Sequence, residues 1–478
     1  MKHTGVVLGA SVALFFACTS GTGGLWGPIG SGSSGGARSL CPTYDGDKPC
    51  PNDAPANQAA VDACARCLSV AQSLYDCIGS RPTCGGDGKT SFPTVTSQCF
   101  PENTTYLACL AQSGDAGTST LFSSAPTLTV GRTPVAIVLV DLNGDKKLDI
   151  VTGNSGDGTL SVLLGNGDGT LGKASIVVVG ARPFALVALD LDVDGKMDLV
   201  TANGDGNGTV SVFLGKGDGT FGAPAAIAAP SSTGLAGGDV NGDKKPDLVV
   251  DGLAGRLVLL GNGDGTFVAV NGADAGSGGV DAGGGADGGV PVRAYTLLAD
   301  LNGDSKLDVV NAPANSVTVA LGNGDGTFGN PTSYKADYGL VGTAAADFNG
   351  DGKPDLATAS SYPAAAYVFL ANGDGTFATG ARFGLEQGSF TDTLCLAVGD
   401  VNLDGKQDVL GGSVTGEGVD LLFGKGDGSF APAVPDVFHR APVAMALGDV
   451  NGDGKPDLVS ADVDSVAGAV SVLLNTSR

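Results

Sequence analysis

From about residue 135 onward the apolar residues come in runs of five or six, rich in Val, Leu and Ala and bounded by Gly and Asp. VAIVLV (135–140) and FALVAL (184–189) each precede a short polar phrase, whose end overlaps a second run such as LDIVTG or MDLVTA. A third run follows (TLSVLL, TVSVFL, RLVLLG). Runs this short, with turn formers at both ends, predict strands rather than helices. The third run leads into GNGDGTL at 165, GKGDGTF at 215, GNGDGTF at 261 and 322, ANGDGTF at 371 and GKGDGSF at 424. Asp-Gly and Asn-Gly accept positive φ cheaply, so this phrase turns the chain into a fourth strand. Four antiparallel strands per unit make a propeller blade.

The polar phrase between the first two runs is Asp-x-(Asn/Asp)-x-Asp-x-Lys-x-Asp, and it occurs seven times at spacings of 49, 49, 61, 47, 53 and 49 residues. Such a period means a tandem array of one supersecondary unit. The expected fold class is therefore all-β, a seven-bladed β-propeller over residues 119–478. The seventh copy ends in SVLLNTSR, where its fourth strand should begin, and LFSSAPTLTVG (121–131) lies ahead of the first blade. That early segment is expected to complete the last blade, closing the ring and removing two exposed strand edges.

Position 1 of the phrase is Asp141, Asp190, Asp239, Asp300, Asp347, Asp400 and Asp449. Position 3 is Asn143, Asp192, Asn241, Asn302, Asn349, Asn402 and Asn451. Position 5 is Asp145, Asp194, Asp243, Asp304, Asp351, Asp404 and Asp453. Position 9 is Asp149, Asp198, Asp247, Asp308, Asp355, Asp408 and Asp457. Side-chain oxygens recurring at 1, 3 and 5 of a tight loop converge on one point, the donor set that a hard cation such as Ca²⁺ takes. The ninth Asp is expected to close the site from across the hairpin. Position 7, always Lys (Lys147, Lys196, Lys245, Lys306, Lys353, Lys406, Lys455), is expected to offer its carbonyl and send its ammonium to solvent. An EF-hand needs Glu at position 12, where this chain has Thr152, Thr201, Val250, Asn311, Thr358, Gly411 and Ser460. About seven structural Ca²⁺ sites are the cofactor expectation.

Composition agrees with loop coordination. Only Glu102, Glu386 and Glu417 among the 50 acidic residues are Glu, and the chain holds 80 Gly. A net charge of -24 argues against nucleic acid or an anionic membrane surface as partner.

The first 18 residues read as a lipoprotein-type signal peptide, with Lys2, an apolar stretch at 4–17 too short to span a bilayer, and Cys18 as the lipidation residue. Export to the cell envelope or outer surface as a lipoprotein is expected, or otherwise secretion. A Gly/Ser-rich tether follows at 19–40. Eight of the ten cysteines crowd into 41–112: Cys41, Cys50, Cys64, Cys67, Cys77, Cys84, Cys99 and Cys109. In an oxidising compartment they predict a small disulfide-rich α-helical module, with a zinc site through Cys64 and Cys67 as the lesser alternative. Cys395, in the apolar run TLCLAVGD, is expected to be buried and inert.

DVNGDGKPD (449–457), DFNGDGKPD (347–355) and FGAP (221–224) resemble the FG-GAP or VCBS repeats, the unit also found in the propeller of integrin α subunits. The resemblance implies a calcium-bound extracellular propeller used for adhesion, recognition or display, and leaves the ligand open. Leu171 stands where the pattern usually has Phe.

Acidic loops and Gly-Asp-Gly turns should share one face, leaving the dissimilar loops (154–158, 252–255, 360–365, 414–418 and 462–468) on the other. The insert 271–290, all Gly, Ala, Asp, Ser, Val and Asn, cannot build a core and is expected to be disordered. Tyr334, Tyr338, Tyr362 and Tyr367 form a candidate contact patch, although core packing is the commoner fate of such residues. With only His3 and His439, His-dependent catalysis has no recognisable constellation, and no enzyme is expected. The expected function is a monomeric surface binding, adhesion or display module for a protein partner. A lectin-like carbohydrate-binding propeller is the alternative, disfavoured by a lone Trp in the tether, and a non-catalytic domain of an extracellular hydrolase or lyase comes third.

Overall fold

The computed structural model describes residues 121–477, apart from 125–126, 205–207, 230–231, 253–254, 271–294, 314, 386–392, 414–417, 438–440 and 464–467. The signal, tether, cysteine module and low-complexity insert lie outside the described residues.

Two short strands open the described chain, β1 (Phe122–Ser124) and β2 (Leu128–Val130). Blade 1 is β3 (Pro134–Val140), β4 (Asp149–Asn154), β5 (Thr159–Leu163) and β6 (Ser175–Val178). Blade 2 is β7 (Pro183–Leu189), β8 (Asp198–Asn203), β9 (Thr209–Phe213) and β10 (Ala225–Ala228). Blade 3 is β11 (Ser232–Gly238), β12 (Asp247–Gly252), β13 (Gly255–Gly261) and β14 (Phe267–Val270). Blade 4 is β15 (Thr296–Ala299), β16 (Asp308–Asn311), β17 (Ser316–Ala320) and β18 (Thr332–Lys335). Blade 5 is β19 (Tyr338–Ala346), β20 (Asp355–Tyr362), β21 (Ala364–Phe369) and β22 (Ala381–Gly384). Blade 6 is β23 (Thr393–Gly399), β24 (Asp408–Ser413), β25 (Gly418–Leu422) and β26 (Val434–Val437). Blade 7 is β27 (Pro442–Gly448), β28 (Asp457–Val463) and β29 (Gly468–Asn475).

Each of the first six blades is a four-stranded antiparallel meander in chain order, and the seventh is closed by the N-terminal segment as expected. The closing strand comes in two pieces: β1 pairs Phe122 with Asn475, and β2 pairs Leu128 with Val470, both on β29. All-β, seven-bladed architecture is thus the fold.

The burial pattern follows from blade stacking. β4, β8, β12 and β24 are buried at every position, because both faces of a blade's second strand pack on neighbouring blades. The outer strands β6, β10, β18 and β22 bury only their third residue partly. The apolar core is divided into clusters at the blade junctions: Val151, Leu160 and Val162 meet Leu186, Leu199 and Phe213 between blades 1 and 2. Ile150 and Leu163 meet Val459 and Val472 between blades 7 and 1.

The Gly-Asp-Gly turns lock the junctions further. A Cβ on Gly219 would lie 2.8 Å from Leu164 Cδ2 of blade 1, and one on Gly265 2.7 Å from Leu214 Cδ2 of blade 2. With φ at +77° and +76° these glycines make the turn and the seat for the preceding blade's leucine at once. Gly326 N also donates to the Val240 carbonyl of the preceding blade at 3.1 Å.

Candidate metal centres

Each polar phrase leaves the innermost strand of its blade and folds into a loop with positive φ at positions 4 and 6. In blades 5 and 7 both positions are Gly (Gly350 and Gly352, Gly452 and Gly454). In the others one is not: Lys146, Lys244 and Ser305 at position 6, Val193 and Leu403 at position 4. The reversal wraps the backbone around the first Asp. Asp347 Oδ1 accepts from Gly350 N at 2.7 Å and Asp351 N at 3.2 Å, and its Oδ2 accepts from Gly352 N at 2.8 Å. Asn349 Oδ1 accepts from Asp351 N at 2.9 Å, and Asp351 Oδ1 from Lys353 N at 3.0 Å. Where Val193 and Leu403 replace glycine, Asp190 and Asp400 accept from positions 5 and 6 without the position-4 N–H.

The ninth residue occupies a separate tier. Asp149, Asp198, Asp247, Asp308, Asp355, Asp408 and Asp457 are fully buried at the start of the second strand. Each uses both oxygens on backbone N–H groups. Asp149 Oδ2 accepts from Leu142 N at 2.9 Å and its Oδ1 from Gly165 N at 2.7 Å. Asp457 does the same with Val450 N at 3.0 Å and Asn475 N at 2.8 Å. One carboxylate thereby fastens the acidic loop to the end of the third strand, which places the acidic loop and the Gly-Asp-Gly turn on one face. Burial pushes these carboxyls above the usual range against the pull of the two N–H donors, Asp408 to about 6.

The position-7 lysines depart from expectation. Their ammonium groups face the position-5 carboxylate two residues back, at 3.9 Å for Lys147–Asp145, 3.3 Å for Lys353–Asp351 and 3.2 Å for Lys406–Asp404, except that the Lys455 ammonium donates to the Ser477 carbonyl at 2.6 Å. Lys196 and Asp194 make the closest of these pairs. The stem is packed: a Cβ on Gly167 would meet Lys147 Cγ and Cδ at 3.0 Å. A short spacing between oppositely charged side chains in a tight loop favours pairing over free solvation, which the type of residue alone does not reveal.

These loops suit a hard divalent cation by chemistry: side-chain donors at positions 1, 3 and 5 are all oxygen, and the loop turns them to one side. In blade 2 the ligand atoms of Asp190, Asp192 and Asp194 lie within 4.8 Å of one another, and Asp198 is not part of that group. Burial, then the Asp194 charge beside it, holds the Asp192 carboxyl above its ordinary range. A cation there would relieve that repulsion. In blade 2 positions 1, 3 and 5 are thus brought together, whereas position 9 is bonded to backbone N–H groups in every blade.

Of the candidate tyrosines, Tyr334 and Tyr367 take the commoner fate of core packing, and Tyr338 is exposed. Tyr367 is 7% exposed within the core between blades 4 and 5, and its hydroxyl is pushed up to about 12 by burial and by Asp337. Tyr334 packs edge-on against Phe369 and Phe377, and its hydroxyl accepts from Phe377 N at 3.1 Å. Tyr338 is 59% exposed and pairs with Tyr362 across β19 and β20. Cys395 is buried as expected, its Sγ 3.5 Å from the Pro442 carbonyl.

Two polar features escaped the sequence. Arg256 and Asp251 form a nearly buried bidentate pair at 2.9 and 3.2 Å, and Asp251 also accepts from Thr296 Oγ1 and Asn311 Nδ2 of the next blade, both at 2.8 Å. Asp420 is buried on β25 with Oδ1 lacking a hydrogen-bond partner among the described residues, and burial pushes its carboxyl up to about 7. A single Asp among β residues carries no signal of this in sequence. The register shows it, because Asp420 stands opposite Gly411, where blades 1 and 2 pair Ser161 with Thr152 and Ser211 with Thr201.

The ring of four-stranded blades with an acidic loop at each first hairpin defines a repeat propeller. The FG-GAP-like repeat model matches residues 141–201, 190–250, 300–358, 347–411 and 400–460, more than half of the chain, and the chain belongs to that family. No curated protein sequence matches it. Among solved structures it is similar to a lectin from Agrocybe aegerita that recognises non-reducing terminal N-acetylglucosamine, at 22% identity and TM-score 0.48 over 77% of this chain and 89% of that one. It is also similar to BBS1N in complex with ARL6DN, at 14% identity and TM-score 0.49 over 75% of this chain and 98% of that one. A Photorhabdus luminescens Tc holotoxin pore matches at 15% identity and TM-score 0.36 over 69% of this chain and 18% of that one.

Proposed function

We propose that this protein is an exported, calcium-stabilised propeller that binds a protein partner at a cell surface, anchored through lipidated Cys18. The observation that carries the reading is the contrast between the two faces. Seven acidic loops of one construction occupy one face. The strand 2–3 hairpins on the other differ from blade to blade, from Ser155–Gly158 in blade 1 to the close Arg256–Asp251 pair in blade 3. A surface that repeats serves the scaffold, and one that varies is free to be shaped for a partner. Asp and Asn at positions 1, 3 and 5, with the position-7 carbonyl, would hold Ca²⁺, and the buried ninth Asp would back the site. Bound cations would offset carboxylate repulsion within each loop and stabilise the array by mass action. The role is binding rather than catalysis.

Calorimetric titration of the mature protein with Ca²⁺, paired with thermal melts in calcium and in chelator, tests the metal half. About seven sites and a lower melting temperature in chelator are expected. Few sites and an unchanged melt would refute it. Partner capture, compared between the parent and a variant with the hairpins of blades 1 and 3 exchanged, tests the binding half. Capture indifferent to the exchange would move the surface elsewhere, and glycan-array binding without protein capture would favour the lectin alternative.

A further inference from the structure

Neither turn geometry nor a ligand set explains why position 7 is Lys in all seven phrases. A cation needs only a backbone carbonyl there, which any residue supplies. In the structure the side chain is used in two parts. Its stem runs under the Gly-Asp-Gly turn of its own blade: a Cβ on Gly217 would stand 2.8 Å from Lys196 Cδ, and one on Gly373 2.7 Å from Lys353 Cδ. In blades 1 to 6 its head then returns to the loop it left, whereas in blade 7 the Lys455 ammonium donates to the Ser477 carbonyl at 2.6 Å and stands 3.9 Å from Asp453 Oδ2. The position-5 carboxylate has one oxygen taken, since Asp145, Asp243, Asp304 and Asp351 each accept from the lysine's own N–H through Oδ1 at 2.9–3.0 Å. The other oxygen, Oδ2, is the one left for a metal, and it is the one the ammonium faces, at 3.9, 3.8, 3.8 and 3.3 Å in those loops.

We infer that the position-7 lysine is a resident counter-cation, which holds the position-5 Oδ2 when no metal is bound and yields that oxygen when a divalent cation enters. Each loop then exchanges a tethered monovalent charge for a free divalent one. The array keeps its shape without metal, and the lysine sets how much calcium is needed to displace it. Packing of the stem makes the exchange local, because the head can leave Oδ2 while the methylenes stay beneath the turn. The exchange rests on the calcium reading above; the counter-cation role in metal-free protein does not.

The test is a variant with Lys147, Lys245, Lys306 and Lys353 all changed to Met, which keeps most of the stem and removes the charge. Lys353→Met alone serves if the fourfold variant does not fold. In chelator at low salt the variant is expected to melt several degrees below the parent, with the gap narrowing in 1 M NaCl as screening weakens both the lost attraction and the exposed repulsion, a Debye length of about 3 Å. In millimolar calcium the gap should close, and the altered loops should bind Ca²⁺ about threefold to tenfold more tightly, as expected from removing a unit charge a few ångströms from the site. A loss of equal size in chelator and in calcium, indifferent to salt, would show that the stem's packing is all that matters and would overturn the proposal. So would no loss in either. If the parent takes up no calcium at all, the metal reading fails by itself, and the salt-dependent gap in chelator still decides the counter-cation role.

Discussion

Within one nine-residue phrase, positions 1 to 7 and position 9 live in different worlds. Asp351 stands in solvent, paired with a lysine that is itself half exposed, whereas Asp355 four residues on is fully buried with two backbone N–H groups to itself. The first kind of carboxylate can be offered to a cation. The second is committed: it ties Phe348 N to Ala371 N, and hence the acidic loop to the neighbouring turn. The two tiers together show that the repeat's acidity has two placements, one at the loop surface and one bonded to backbone in the core.

Removing one carboxylate from each tier separates their roles. Asp355→Ala leaves two N–H donors without their acceptor and should cost about 3–5 kcal/mol in urea unfolding in chelator. Asp351→Asn under the same conditions should shift the unfolding midpoint far less, because it removes the Lys353 attraction and the repulsion from Asp347 together.

Asp420 stands on the other side of the contrast, buried like Asp355 but with no donor to its Oδ1 among the described residues. Its folded-state carboxyl, at about 7, lies above the ordinary 3.8, so the protonated form is the one the fold prefers. Its contribution is fully present below about pH 4 and is lost as the pH rises towards 7. Asp420→Asn should therefore gain stability over the parent progressively across that window, by roughly 2–4 kcal/mol at pH 8. A parent-to-variant difference independent of pH would refute the assignment.

The smallest effects concern the loops' own backbones. Val193→Gly and Leu403→Gly relieve side chains held at φ of 59° and 63°, and each should stabilise by about 1 kcal/mol, while Gly350→Val should cost about as much. Thermal melts of the three single variants rank them.

Much of the fold is legible in residues. Short apolar runs, the spacing of the phrase and the unpaired ends gave seven blades and their closure, because strand length and turn chemistry are local. The grouping of Asp190, Asp192 and Asp194 in blade 2 is local too. Three features were not legible. The ninth Asp reads as a ligand by its spacing, and only the third strand's return beside it shows the backbone N–H it accepts from. The lysine reads as solvated until the turn that covers its stem is in place. For Tyr334 and Tyr367 contact patch and core packing both stayed open, because period-2 alternation cannot say which side of a blade meets a neighbour. Each depends on chain segments distant in sequence or on the next blade.

The divided closing strand also governs how the ring would respond to tension. Phe122 pairs with Asn475 at the very end of β29, and Thr476 N donates to the Leu121 carbonyl at 2.7 Å, so the chain enters and leaves the ring side by side. A pull separating those two points acts across the strands and loads the hydrogen bonds one after another instead of all together. The first clasp spans three residue pairs, Phe122–Ser124, and a second of equal length, Leu128–Val130, waits behind it. The ring is thus built to unzip at its seam in two short stages, under forces lower than those needed to shear a blade.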